Sequence, residues 1–304
     1  VAEGLTKTFD DFTAVDGISF QVESGQTFGV LGPNGAGKSS TMKMVSTVSP
    51  RSGGTLQVFG LDPDQDGRTI RSRLGVVPQE DILDFDLTVV ENLMIYQRYF
   101  GMRWQGARAK AMQLLDFMQL TDRADSKIEP LSGGMKRRLT IARSLVNDPE
   151  MILLDEPTTG LDPQARHLLW ERLYRLKEQG VTLLLTTHYM DEAEQLSDRL
   201  LIMDHGKIVA EGSPAELITK HTTREVLELR FDNDSHVASP LAAAAQAAGF
   251  RVDELPDRHL VYADDGDAAI AHLREAGVNP LGTYVRRSSL EDVFLTLTGR
   301  SLVE

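Results

Sequence analysis

The chain has 304 residues, 32 Lys and Arg against 45 Asp and Glu, a formal net charge of −13 and no cysteine. That length suits one large or two modest domains, and the lack of thiols excludes disulfide frameworks, thiolate zinc sites and cysteine nucleophiles and fits a reducing, cytoplasmic compartment. The acidic balance argues against nucleic acid as a partner, no apolar run approaches the roughly 18 residues of a membrane-spanning helix, and no basic leader or secretion segment opens the sequence at Val1.

Residues 3–8 read as the end of a strand and a turn, 18–22 alternate as a strand, and 27–31 form a short buried run. Gly32-Pro33-Asn34-Gly35-Ala36-Gly37 cannot be regular structure, and after it Met42, Met44, Val45 and Val48 fall at helical spacing. The order is strand, glycine loop, helix. Residues 54–78 return to strand-like pieces at 55–59 and 74–77. From 88 to 120 apolar residues recur at helical intervals, in Val89, Leu93, Ile95, Tyr96 and Tyr99 and again in Ala111, Leu114, Leu115 and Met118. This predicts a helical insertion over about 88–146, whose last helix opens at Ser132-Gly133-Gly134. A strand at 151–155, a helix at 163–179, a strand at 181–187 and a helix at 190–196 follow. Strands and helices alternate as in a mostly parallel sheet, so the expected fold class is α/β. The pattern breaks near 214–221, which divides the chain into expected domains 1–221 and 222–304. The second reads β-α-β-β-α-β and then α, the order of a small ferredoxin-like α+β sandwich.

The segment from Gly32 to Lys38 and Ser39 fits the G-x-x-x-x-G-K-[ST] phosphate loop. Glycines let successive backbone N–H groups turn toward phosphate oxygens, and the helix that starts at Lys38, Ser39 and Ser40 adds positive potential. Lys38 is expected to bridge the β- and γ-phosphates of a nucleotide and Ser39 to hold Mg²⁺. Met151-Ile152-Leu153-Leu154 then delivers Asp155 and Glu156 at the C-terminal edge of a strand, where ligands of parallel sheets gather. Asp155 suits the Mg²⁺ shell, and Glu156 suits polarising the attacking water. With no cysteine and no clustered histidine, no structural metal is expected.

Leu131-Ser132-Gly133-Gly134-Met135, placed shortly before Asp155-Glu156, makes the region from Leu5 to Gly212 resemble the nucleotide-binding subunits of ATP-binding cassette (ABC) transporters. The resemblance implies the ABC-type P-loop fold, with antiparallel β and helical subdomains beside the main sheet. It also implies that Gln79 is the Q-loop glutamine at the magnesium and the reacting phosphate, that Gly160-Leu161-Asp162 is the D-loop, and that His188 is the switch histidine, able to donate to the γ-phosphate. Phe9 matches the aromatic that stacks on adenine, with Phe12 as a rival. It further implies a head-to-tail homodimer or heterodimer in which Ser132, Gly133 and Gly134 of one subunit close on ATP held by the other. Such a subunit sits on the inner face of the cell membrane, held there by a separate multi-span permease.

Residues 75–79, 86–93 and 290–300 further resemble the daunorubicin/doxorubicin-resistance group of exporters, whose substrates are often drug-like or lipid-like. Met135 stands where many members have Gln. Lys136-Arg137-Arg138 reads as a solvated helix face rather than a nucleic-acid patch. The C-terminal unit is expected to stabilise a dimer or face the permease rather than bind a ligand. The alternative, a soluble cassette ATPase acting on ribosomes or DNA, is disfavoured by the single cassette and the absence of a heptad run.

Overall fold

The computed structural model describes residues 1–80, 82–231 and 238–299, apart from the side chains of 238–240. Asp81 lies outside the described residues, and so does Arg300, which closes the segment 290–300 singled out in the sequence. Chain contacts divide the protein into two compact units, 1–211 and 212–304.

In the first unit, β1 (Ala2–Phe9) and β2 (Phe12–Phe20) form a hairpin, and β3 (Thr27–Leu31) follows, buried along its whole length. The phosphate-loop segment leads into α1 (Lys38–Val45), and β4 (Gly53–Leu56) returns to pair antiparallel with β1, completing a three-stranded sheet in the order β2-β1-β4. Then come α2 (Pro63–Ser72), β5 (Leu74–Val77), α3 (Val89–Tyr99), α4 (Ala107–Phe117) and α5 (Gly133–Ser144). They are followed by β6 (Met151–Asp155), α6 (Pro163–Glu178), β7 (Thr182–Thr187), α7 (Met190–Leu196), β8 (Arg199–Asp204) and β9 (Lys207–Gly212). The second sheet runs β5-β6-β7-β3-β8-β9, and its first five strands are mutually parallel. Such strands are covered on both faces, which is why 28–31, 152–154 and 183–185 are apolar and buried.

Helix α2 occupies a stretch whose sequence reads as strand. It buries only Pro63 and Ile70, so no apolar period announces it. Its start is set instead by Asp62, whose side chain accepts from the Asp64 amide, and by Pro63, preorganised for a first turn. Hydrogen bonding to the Arg51 guanidinium, with help from the Asp64 amide, pulls the Asp62 carboxyl down to about 2. Of the apolar positions that mark α3, Val89 and Leu93 are buried, whereas Ile95 and Tyr99 are exposed, Tyr99 at 79 %. Buried Gln97 supports the core side instead, donating to the Ala107 carbonyl at 3.0 Å.

The second unit holds α8 (Pro214–His221), β10 (Glu225–Arg230), α9 (Ala238–Ala248), β11 (Arg251–Glu254), β12 (His259–Ala263), α10 (Gly266–Glu275), β13 (Gly282–Arg287) and α11 (Leu290–Thr298). Its antiparallel sheet runs β11-β12-β10-β13, as in a ferredoxin-like sandwich. Leu227 and Leu229 pack toward α9 and α10, and Val226 and Tyr262 pack on the opposite face near Leu295 of α11. The division falls ahead of the boundary expected at 221/222, because α8, opened by a Ser213–Glu216 capping box, packs against α11. Beside α11, Arg286 forks onto buried Asp292 at 2.7 and 2.9 Å and reaches Glu228 at 2.7 Å. Among the described residues no helix is long and apolar enough to cross a membrane.

Candidate active site

The parallel sheet brings three strand ends together: Leu31 of β3, Asp155 of β6 and Thr187 of β7. The loop after β3 requires glycine. A Cβ on Gly32 would lie 2.3 Å from the Met203 carbonyl oxygen, and one on Gly37 would lie 2.4 Å from that of Ala14. Gly35 and Gly37 also hold φ of 82° and 103°, a region nearly closed to other residues. The result is a tight turn that opens backbone N–H groups at the start of α1, suited to an anion.

Lys38, only 4 % exposed, donates to the carbonyls of Gly32 at 2.7 Å and Pro33 at 3.0 Å, and its ammonium lies 3.6 Å from Glu156 Oε1. Burial lowers its pKa, and the Glu156 and Asp155 carboxylates oppose that shift. Ser39 Oγ donates to Asp155 Oδ1 at 3.3 Å, and the Thr186 hydroxyl, directly across the ladder from Asp155, donates to the same oxygen.

Glu156 is the convergence point. It is 6 % exposed with φ of 46°, an unusual conformation held by its amide, which donates to the Thr186 carbonyl and hydroxyl at 3.1 Å each. Its Oε2 accepts from Gln79 Nε2 at 3.1 Å and from Thr159 Oγ1 at 3.2 Å, and His188 Nδ1 lies 3.3 Å from Oε1. That last approach is close but not aligned as a hydrogen bond. One carboxylate is thus touched by Lys38 of α1, by Gln79, from the turn after β6 and from the end of β7.

Asn34, Gly35, Gly37, Lys38, Ser39, Ser40, Gln79 and Glu156 line a single cavity of about 200 Å³ together with Phe12 and Ala14. Phe9 does not line it. Phe9 is nevertheless the cross-strand partner of Phe12 in the β1–β2 hairpin, and its ring lies 4.8 Å beneath the Lys7 ammonium. Ser132, Gly133, Gly134 and Asp162 are also absent from the cavity lining. Ser132 caps α5, accepting from the Met135 amide at 3.3 Å, and Asp162 caps α6, accepting from the Ala165 amide at 2.9 Å. The Ser39 hydroxyl, the Asp155 carboxylate and the Gln79 amide oxygen form a hard oxygen set, which fits Mg²⁺ arriving with phosphate ligands of its own.

Arg137 corrects the reading of 136–138 as a solvated face, because its side chain is 4 % exposed. Its guanidinium donates to the carbonyls of Pro157 at 2.8 Å, Asp155 at 3.0 Å, Glu156 at 3.2 Å and Gln79 at 3.3 Å, and also to Pro78. It clamps the segment bearing Gln79 to the segment bearing Asp155 and Glu156. Thr159 and Thr186 are further contributors that the sequence did not mark, since single hydroxyls in loops and strands carry no pattern of their own.

Comparison with known proteins agrees with this geometry. The family described as "ABC transporter" matches residues 15–159, and the C-terminal domain family of the nodulation factor export protein NodI matches 238–299. Nod factor export ATP-binding protein I of Ralstonia nicotianae is 47 % identical, over 99 % of this chain and 94 % of its own length. The Burkholderia pseudomallei protein of the same name is 46 % identical, over 99 % and 97 %. Among solved structures, a dimeric ATP-binding cassette bound to ADP and Pi in a post-hydrolysis state superposes with a TM-score of 0.64 at 25 % identity, covering 70 % of this chain and 97 % of that one. A cbiO1 subunit from Clostridium perfringens, part of an ABC transporter complex, gives 0.67 at 26 %, covering 72 % and 90 %. With the phosphate loop, the paired acids Asp155 and Glu156 and His188 gathered at one sheet edge, and with relatives matched along nearly the full chain, the protein belongs to the family of ABC transporter ATP-binding subunits, the ATPases of these transporters.

Proposed function

We propose that the chain hydrolyses MgATP in the cavity between the phosphate loop and Glu156, in a site completed by a second ATPase subunit, and that this drives export through a separate membrane permease. The observation that carries the reading is the single carboxylate of Glu156, held among Lys38, Gln79, Thr159 and His188. Backbone N–H groups of the loop and the Lys38 ammonium bind the phosphates, and the adenine rests on the hairpin aromatics Phe9 and Phe12. Glu156 orients a water for in-line attack on the γ-phosphorus and draws its proton as the new P–O bond forms. The bond to the ADP oxygen breaks, and His188 donates to the γ-phosphate oxygens as charge develops there. Ser39 and Asp155, with Gln79 beside them, would hold Mg²⁺, which would supply charge neutralisation to the phosphates.

Ser132, Gly133 and Gly134 open α5 with a hydroxyl and free N–H groups, yet they line no part of their own subunit's cavity. Head-to-tail pairing gives them a role on the ATP of the other copy, with Asp162 at the same interface, and one structural neighbour is itself described as dimeric. Toward the permease, a groove of about 550 Å³ beyond Gln79 carries exposed Ile82, Phe85 and Tyr99. The relatives are named for Nod factor export, which supports outward transport, and the resemblance to the drug-resistance group supports a lipid-like or drug-like cargo that this subunit does not touch. The test is complementation. Ser132→Arg and Lys38→Met variants, each inactive alone, should regain ATPase activity when mixed, because one composite centre then has both halves intact. Mixtures that stay inactive overturn the composite site.

A further inference from the structure

The buried carboxyl of Glu192 takes no part in the hydrolysis just described. It lies in α7, four residues beyond His188, and is 0 % exposed. Trp170 Nε1, from α6, donates to its Oε1 at 3.3 Å. Thr187 and Thr158 interact electrostatically with the same carboxyl. Thr158 Oγ1 and Glu192 Oε2 are both buried with no aligned hydrogen-bond partner among the described residues, and the Thr187 hydroxyl accepts from the Tyr189 amide at 2.9 Å. Thr187 directly precedes His188. Thr158 lies two residues beyond Glu156, in the turn that runs on to Asp162, and α6 starts at the end of that turn.

An isolated buried carboxyl is costly, and an apolar residue of similar size would pack the same space without that cost. What the carboxyl adds is a three-way polar joint between segments that carry different parts of the reaction. Burial raises its pKa, with the three hydrogen-bonding neighbours opposing. A neutral acid can both accept from the indole and donate to a threonine hydroxyl.

We infer that Glu192 is a positioning residue for the proposed ATP hydrolysis, tying the turn after Glu156 to the strand end before His188 so that the two groups keep their spacing. The inference rests on the reading of Glu156 and His188 given above. Misplacing reacting groups by about 1 Å can cost a hundredfold in rate, so loosening this joint should act on turnover rather than on nucleotide binding.

The experiment measures steady-state ATPase kinetics of the full chain. Glu192→Leu removes the hydrogen bonds and keeps most of the volume; kcat should fall about tenfold or more while KM for ATP stays within about twofold. Glu192→Gln, which can accept from Trp170 and donate to Thr158 or Thr187, should keep at least about half of wild-type kcat. Thr158→Val, nearly isosteric, should lower kcat about threefold or more, and it supplies the measurement if Glu192→Leu does not fold. Adding Glu192→Leu to His188→Ala should cost nothing beyond His188→Ala alone, because the joint acts through the histidine. Wild-type kcat in both Glu192→Leu and Thr158→Val, or equal losses in Glu192→Leu and Glu192→Gln, overturns the inference. Normal turnover in Glu156→Gln instead overturns the reading on which it rests, and so the two failures are told apart.

Discussion

Arg137 donates to the main-chain oxygen of Glu156 at 3.2 Å, and the same guanidinium holds Gln79 from the other side at 3.3 Å. The Glu156 carboxylate and the Gln79 amide that contacts it are therefore fixed to each other through their backbones as well as their side chains. A charged fork in this position satisfies several carbonyls that would otherwise be buried without a donor.

Arg137→Met should consequently destabilise the first unit by about 3 kcal/mol or more, and Arg137→Lys should recover less than half of that, since an ammonium cannot span the separate carbonyls. Urea unfolding of the two variants measures the loss. Full recovery by Lys would show that charge alone matters at this position.

Glu156→Gln should lower ATP turnover by about a hundredfold or more, the scale of a lost general base, while nucleotide affinity changes little. Titration with a fluorescent ATP analogue alongside a phosphate-release assay separates the two effects. ATP-loaded Glu156→Gln should also sediment as a dimer, because the composite site closes and does not reopen.

Gly37→Ala meets both a φ of 103° and a carbonyl 2.4 Å from the new methyl, so it should cost about 2 kcal/mol and abolish ATP binding. Gly60→Ala, at φ of 75° with open space around it, is the comparison: about 1 kcal/mol of strain and no change in nucleotide affinity. Thermal melts with and without ATP resolve both quantities.

Burial holds the Glu192 carboxyl above its ordinary value of 4.5; hydrogen bonds from Thr187, Thr158 and Trp170 oppose the shift, and the Asp191 charge adds to it. The folded chain therefore keeps a proton that the unfolded chain has already released. The stability this group contributes is complete below pH 4.5 and is lost as pH rises through the folded pKa. Glu192→Gln does not titrate, so its stability relative to wild type should improve as pH rises above 4.5. Urea unfolding of both proteins across that range checks the sign, and a difference that moves the other way would count against a neutral buried acid.

The phosphate loop, the Asp155-Glu156 pair and the alternation of strands and helices were legible in the sequence because each depends on contiguous residues. A glycine loop followed by Lys38 and Ser39 must turn and expose its amides wherever it occurs, and an apolar strand ending in two acids delivers them to a sheet edge. The β-α-β-β-α-β order of the C-terminal unit was readable for the same reason, from alternation and closing glycines. Helix α2 was not, because it is set by a cap and a proline rather than by an apolar stripe.

What only the tertiary structure decided were matters of burial and of partners far apart in sequence. Arg137 belongs to a run of three cations that looks solvated, and it becomes the buried clamp because Pro78, 59 positions away, is folded against it. Phe12 lines the cavity where Phe9 does not, and Glu192 becomes a joint only when α6, α7 and the turn after β6 converge. A side chain's hydrogen bonds and dielectric surroundings come from whatever the fold places beside it, and local pattern carries no record of that neighbour.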